Sequence, residues 1–177
     1  ALEVCASLWF DRDKIENAFR SGDGIAWKDH HEGLFCGCEA LFKPGYEASL
    51  VADWIGALDG VQDRLSAGGR IADVGCGHGA SAIILAKAFP NSTVYGFDSH
   101  VESIDIARQR ASEAGLSGNL RFETALAKGY DERDFDLICF MDCLHDMGDP
   151  VGAARHACDA LNPGGSLLLV EPAANDG

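Results

Sequence analysis

An α/β fold, with a Rossmann-like parallel sheet and helices on both of its faces, is what this sequence predicts, and three observations predict it. From Arg70 onward, short apolar runs alternate with helical patterns, an order that needs crossover connections and so places the strands parallel. The first run, Ile71-Ala72-Asp73-Val74, leads into glycines on alternate positions, Gly75, Gly77 and Gly79. Glycines at a strand-to-helix turn let the backbone take φ > 0 and let a ligand approach where a Cβ would stand. The second run closes on Asp98, about 20 residues beyond that turn, where an acid can accept hydrogen bonds from a ribose diol. The expectation is a cofactor-binding core over 70–177, with a helical extension or lid over 1–69.

Taken in order, residues 13–20 read as a short helix that the Ser21-Gly22-Asp23-Gly24 turn stops. A loop carrying Trp27, His30 and His31 follows, and Lys43-Pro44-Gly45-Tyr46 reads as another turn. Over 47–58, Leu50, Val51, Trp54, Ile55 and Leu58 fall at helical spacing and give an apolar face to pack on the sheet. Asp59-Gly60 ends that helix, 61–65 adds a turn, and Ala67-Gly68-Gly69 leads into the core. Strands are expected over 71–74, 93–98, 119–124, 135–141 and 166–170. The intervening helices are 80–89, stopped by Pro90, and 100–114, with Ile104, Ala107 and Ala111 on one face and Gly115 at its end. Asp149 then caps a helix with Pro150 in its first position, and Asn162-Pro163-Gly164-Gly165 stops it.

The composition narrows the partners. Fourteen Lys and Arg against 28 Asp and Glu leave a net charge of −14, which repels phosphate backbones and anionic lipid, so a small-molecule acceptor is favoured over nucleic acid or a membrane. No apolar run reaches the roughly 20 residues of a membrane span, and a cytoplasmic location is expected. The seven cysteines form no framework. Cys76, Cys139, Cys143 and Cys158 fall in apolar patterns as small hydrophobes, while Cys36 and Cys38, near His30 and His31, match no usual zinc spacing. No metal site is expected.

Gly75, Gly77 and Ala80 also satisfy the dinucleotide pattern G-x-G-x-x-G/A, so the glycines alone leave an NAD-dependent oxidoreductase open. Downstream segments separate the two. The run from Asp73 to Gly79, Asp98 at the end of the second strand, the fourth-strand segment from Phe135 to Pro150, and the turn and fifth strand from Asn162 to Pro172 together resemble the class I S-adenosylmethionine (SAM) methyltransferases. The resemblance covers residues 68–172. More narrowly, Phe42-Lys43-Pro44-Gly45-Tyr46 and the run from Val74 to Ser81 resemble a bacterial group that carries a winged-helix segment ahead of its core, a segment this sequence lacks.

The resemblance implies SAM as cofactor and S-adenosylhomocysteine (SAH) as product. It assigns Asp73, Gly75, Cys76 and Gly77 to the methionine part, Asp98 to the ribose, and Phe97 and Ser99 to the adenine edge. Met141 and Asp142 would line the methyl-transfer face. Where the family usually has an Asp that accepts the adenine amino group, this chain has Leu126, leaving the backbone to read the base. Leu144-His145-Asp146-Met147 resembles the Leu-His-Asp-Trp run of small-molecule O-methyltransferases, which implies His145 as general base, oriented by Asp146 or Asp142. Trp27, His30, His31 and Phe35 are candidates for the acceptor pocket.

Family members normally continue past the fifth strand into a helix and a terminal β-hairpin. A sequence that stops soon after Glu171 leaves that strand with an exposed apolar edge, and edges of this kind pair with other chains. The expectation is a piece of a longer protein, or a truncated core that self-associates. Three rival functions stand beside the methyltransferase: a non-catalytic SAM- or SAH-binding module of a regulator, the NAD-dependent oxidoreductase, and a structural or interaction domain whose glycine turn is empty.

Overall fold

The computed structural model describes residues 2–173. They divide into two compact units between Pro44 and Gly45.

The first unit contains α1 (Leu2–Phe10), α2 (Arg12–Ser21), a single 3-10 turn (Trp27–Asp29) and most of α3 (Glu32–Ser49). Gly22 ends α2 in the left-handed conformation (φ 81°), returning its N–H to the Ala18 carbonyl, as the sequence leads one to expect. Asp11, 1% exposed, ties the unit together. Its carboxylate accepts from Lys14 Nζ at 2.7 Å and from the His31 amide at 2.8 Å, and lies 3.0 Å from His30 Nδ1. Burial alone would raise its pKa, but these partners favour the charged form and bring it down to about 2.

The second unit is built on a five-stranded parallel sheet in the order β3-β2-β1-β4-β5. The strands are β1 (Arg70–Val74), β2 (Thr93–Asp98), β3 (Leu120–Thr124), β4 (Phe135–Met141) and β5 (Leu161–Val170). Flanking helices are α4 (Val61–Gly68), α5 (Ala80–Ala88), α6 (Val101–Glu113) and α7 (Pro150–Ala160). β1 is central and covered on both faces, so Ile71 to Val74 are wholly buried whichever way each side chain points. α6 presents Ser103, Ile104, Ala107 and Ala111 to the core. One face of the sheet is an aromatic cluster in which Phe97 stacks on Tyr130 at 4.4 Å, with Tyr95 and Phe135 alongside. The Asp149 side chain caps α7 by accepting from the Gly152 amide.

Two expectations fail in detail. Lys43 to Tyr46 form no turn: α3 continues through Pro44 and is followed by a π-helical stretch, Leu50–Ile55. Tyr46 and Leu50, 8% and 0% exposed, bury apolar area that outweighs a proline's helix penalty of about 3 kcal/mol. At the other end, residues 162–165 bulge within β5, since Leu161 pairs with Phe135 and Ser166 with Leu137. Asn162 Nδ2 donates to the Asp134 carbonyl at 2.9 Å, and Arg64 donates to the Gly164 carbonyl at 2.7 Å, which fixes the bulge.

Candidate active site

The chain leaves β1 for β2 on one side and returns to β4 on the other, so the carboxyl ends of β1, β2 and β4 frame the crevice where ligands bind in such sheets. The turn after β1 is shaped by its glycines. Gly75, Gly77 and Gly79 all have positive φ (77°, 51° and 80°). A Cβ on Gly75 would lie 2.7 Å from Cys143 Sγ, whereas one on Gly77 would meet nothing within 4 Å. Close packing therefore demands the first glycine, and the second borders open space. The Phe97 carbonyl accepts from both Gly75 and Cys76 amides, at 2.8 and 3.1 Å, locking the turn to β2.

Asp98 holds the other side. Its Oδ2 accepts from the Gly77 amide at 2.9 Å and its Oδ1 from the His100 amide at 2.8 Å. Ser99 beside it is exposed. Phe97, expected at the adenine edge, is wholly buried in the aromatic cluster; strand alternation turns its side chain into the core. Leu126 is 62% exposed at the rim after β3, and its carbonyl accepts from the Gly129 amide.

Asp73 is fully buried. The Ser81 hydroxyl donates to its Oδ2 at 2.6 Å, while Oδ1 has no hydrogen-bond partner among the described residues. Burial pushes its pKa up to about 6, against the Ser81 and Ala82 hydrogen bonds that favour the ionised form. Cys76 is 7% exposed, and burial pushes its thiol well above the usual range, so it packs rather than reacts.

At the end of β4, Met141 is buried and Asp142 takes φ 53°, donating its amide to the Val170 carbonyl at 2.7 Å. Leu144–Asp146 forms a 3-10 turn that presents His145. His145 Nδ1 hydrogen-bonds Glu171 Oε2, and Glu171 Oε1 accepts from the Leu144 amide at 2.8 Å and the Cys143 amide at 3.3 Å. Glu171, at the end of β5, thus orients His145, a role expected for Asp142 or Asp146. Asp142 is instead bonded to the Tyr46 hydroxyl at 2.9 Å, and Asp146 lies 3.4 Å from His145 Nε2. The Glu171 hydrogen bond raises the His145 pKa above 6.5 despite some burial. Burial raises the Asp142 pKa, against the Tyr46 hydrogen bond.

In the first unit, Trp27 is 37% exposed with ring contacts to His30 and Phe35. Among the described residues, no three His, Cys, Asp or Glu side chains converge to hold a metal ion, and no helix is long and apolar enough to cross a membrane.

These groups suit SAM better than a dinucleotide. The amide of Gly77, which a pyrophosphate would need, is taken by Asp98, and the turn holds buried acid without Lys or Arg. An orphaned buried carboxylate oxygen on Asp73 suits a ligand that brings an ammonium.

Comparison with known proteins agrees. The family profile described as methyltransferase domain matches residues 65–176. The chain is 35% identical over 107 residues to the 27-O-demethylrifamycin SV methyltransferase of Amycolatopsis mediterranei (strain S699), covering 59% of this chain and 39% of that protein. It is 33% identical over 103 residues to the ubiquinone biosynthesis O-methyltransferase of Shewanella sp. (strain ANA-3), covering 58% and 43%. Among solved structures, a SAM-dependent methyltransferase from Thiobacillus denitrificans in complex with SAH superposes with a TM-score of 0.57 at 26% identity, over 71% of this chain and 47% of that one. The [4+2]-cyclase SpnF superposes with a TM-score of 0.56 at 31% identity, over 67% and 46%. The chain spans less than half the length of each of these four proteins. With the profile lying over the glycine turn and all five strands, the chain belongs to the methyltransferase-domain family and has the fold of its class I SAM-dependent members.

Proposed function

We propose that this chain is the catalytic core of a SAM-dependent O-methyltransferase that acts on a small-molecule hydroxyl. The hydrogen bond between His145 Nδ1 and Glu171 carries the reading, because a carboxylate on Nδ1 leaves Nε2 as the basic nitrogen. Asp73, Gly75, Cys76 and Gly77 would hold the methionine part, Asp98 the ribose, and Ser99 with the Leu126 backbone the adenine. Replacing an adenine-reading Asp by Leu126 forgoes a hydrogen bond worth about 0.5–1.5 kcal/mol.

The bound cofactor supplies an activated methyl group on a sulfonium, so the protein has two tasks: to align the acceptor oxygen and to take its proton. His145 Nε2 accepts that proton as the oxygen is methylated, and Glu171 stabilises the resulting imidazolium through Nδ1. Met141 and Asp142 would line the methyl-transfer face.

Two measurements test the proposal. Calorimetric titration should give saturable binding of SAH and none of NADH. His145→Ala should lower turnover on a hydroxyl acceptor by about 10²–10⁴, and full turnover by that variant would remove His145 from the role.

A second reading, a SAM- or SAH-binding module that associates without catalysis, is favoured by the β5 edge. Among the described residues only β4 pairs with β5, and Leu169 on it is 46% exposed. It predicts SAH binding with no turnover on any acceptor.

A further inference from the structure

Asp142 is fixed on one side and open on the other. The Tyr46 hydroxyl donates to its Oδ2 at 2.9 Å. Tyr46 is itself 8% exposed and meets Trp54 edge-on at 6.2 Å, so the phenol is a fixed donor rather than a surface group. The Asp142 backbone is held by its amide on Val170 in a left-handed conformation, which Asp tolerates and functional sites retain. Its Oδ1 takes no hydrogen bond among the described residues.

The positive charge that Asp142 feels is that of His145, which is already bonded to Glu171 and stands beside Asp146. The loops leaving β1 (75–79), β2 (99–100), β4 (142–149) and β5 (171–173) contain no Lys or Arg. Lys128, in the loop after β3, is committed to Asp149 at 2.7 Å. The titratable groups felt by Asp142 are Tyr46, Glu171 and His145, and Asp146 stands beside His145.

We propose that Asp142, held by Tyr46, selects the acceptor: its Oδ1 accepts a hydrogen bond from a hydroxyl or ammonium group of the acceptor and rejects molecules that carry an anionic group near the methylated atom. The proposal rests on the reading of this rim as the acceptor side of a SAM-dependent methyltransferase. A hydroxyl or ammonium gains a charge-assisted hydrogen bond there. A carboxylate or phosphate would face three carboxylates, Asp142, Asp146 and Glu171, against one imidazole, His145, that Glu171 already holds, and net repulsion of this kind is an effective discriminator.

The test uses the full chain saturated with SAH and titrated by calorimetry, near neutral pH, with dopamine, 4-methylcatechol and 3,4-dihydroxybenzoate, which share a catechol and differ in charge. The cation and the neutral compound should bind, the carboxylate at least roughly tenfold more weakly, and the gap should narrow at high salt. Asp142→Asn should abolish most of the discrimination and Tyr46→Phe part of it, with thermal unfolding confirming that both variants fold. Asp59→Asn, the same change in net charge on an exposed residue outside these loops, should preserve it. If SAH fails to bind, the methyltransferase reading falls and the proposal with it. If SAH binds but the three catechols bind equally, in reverse order or not at all, or if Asp142→Asn leaves the order intact, the proposal alone is overturned.

Discussion

A single carboxylate shows how this core gives up stability for a site. Asp73 is wholly buried with one oxygen unpartnered, and its pKa stands at about 6 against 3.8. A folded-state pKa above the unfolded one means that the stability present below pH 3.8 is lost as the pH rises through about 6. The difference corresponds to roughly 3 kcal/mol at neutral pH. Asp73→Asn should therefore raise the melting temperature above pH 6, flatten the fall between acid and neutral pH, and weaken SAH binding. A melting temperature lowered by this substitution at neutral pH would contradict the account. Buried polar groups kept at such cost mark sites rather than scaffolds.

At the level of elements, the 3-10 turn after β4 is organised by the tip of β5. Glu171 holds the amides of Cys143 and Leu144 with one oxygen and His145 with the other. Because that hydrogen bond raises the His145 pKa, turnover should rise with pH through a midpoint above 6.5. Glu171→Gln should move the midpoint down towards 6.5, as read from the pH profile of turnover or from an NMR titration of the imidazole; an unmoved midpoint would show that Glu171 is only a loop tether. The strands, the glycine turn and Asp98 were legible in the sequence because each is a local pattern: a buried run, a set of positions needing φ > 0, an acid at a strand end. His145, which the structure places on the 3-10 turn, was singled out by the resemblance of residues 144–147 to a family run. Its partner was not, because Glu171 lies 26 residues further on and meets it only through the parallel register that sets Met141 beside Val170. The Tyr46–Asp142 contact, 96 residues apart, was hidden for the same reason, and the Pro44-Gly45 pair misled in the other direction, since a turn signal sits inside a helix held by Tyr46 and Leu50.

At the scale of the whole sheet, the described residues give a well-covered centre, β1, and two edge strands, β3 and β5. β5 has β4 as its neighbour on one edge, and its Leu167, Leu168, Leu169 and Val170 are half-buried or exposed. An apolar, uncharged edge of this kind is suited to pairing with its own copy about a two-fold axis. Sedimentation should show association that grows with concentration, and Leu169→Lys should suppress it. A wild-type chain that stays monomeric at every concentration would exclude this edge as a self-association surface.

The order of the strands also governs how the chain is made. β1 lies between β2 and β4, and its partner Leu137 is separated from Ile71 by most of the core sequence. A ribosome has therefore released β1, β2 and β3 well before the second flank of the central strand exists. Until β4 emerges, wholly apolar residues such as Ile71 and Val74 have an unpaired side, and nascent chains in that condition are the ones that holding chaperones engage. Synthesis should be most vulnerable to aggregation over the interval in which residues 75–135 are being added.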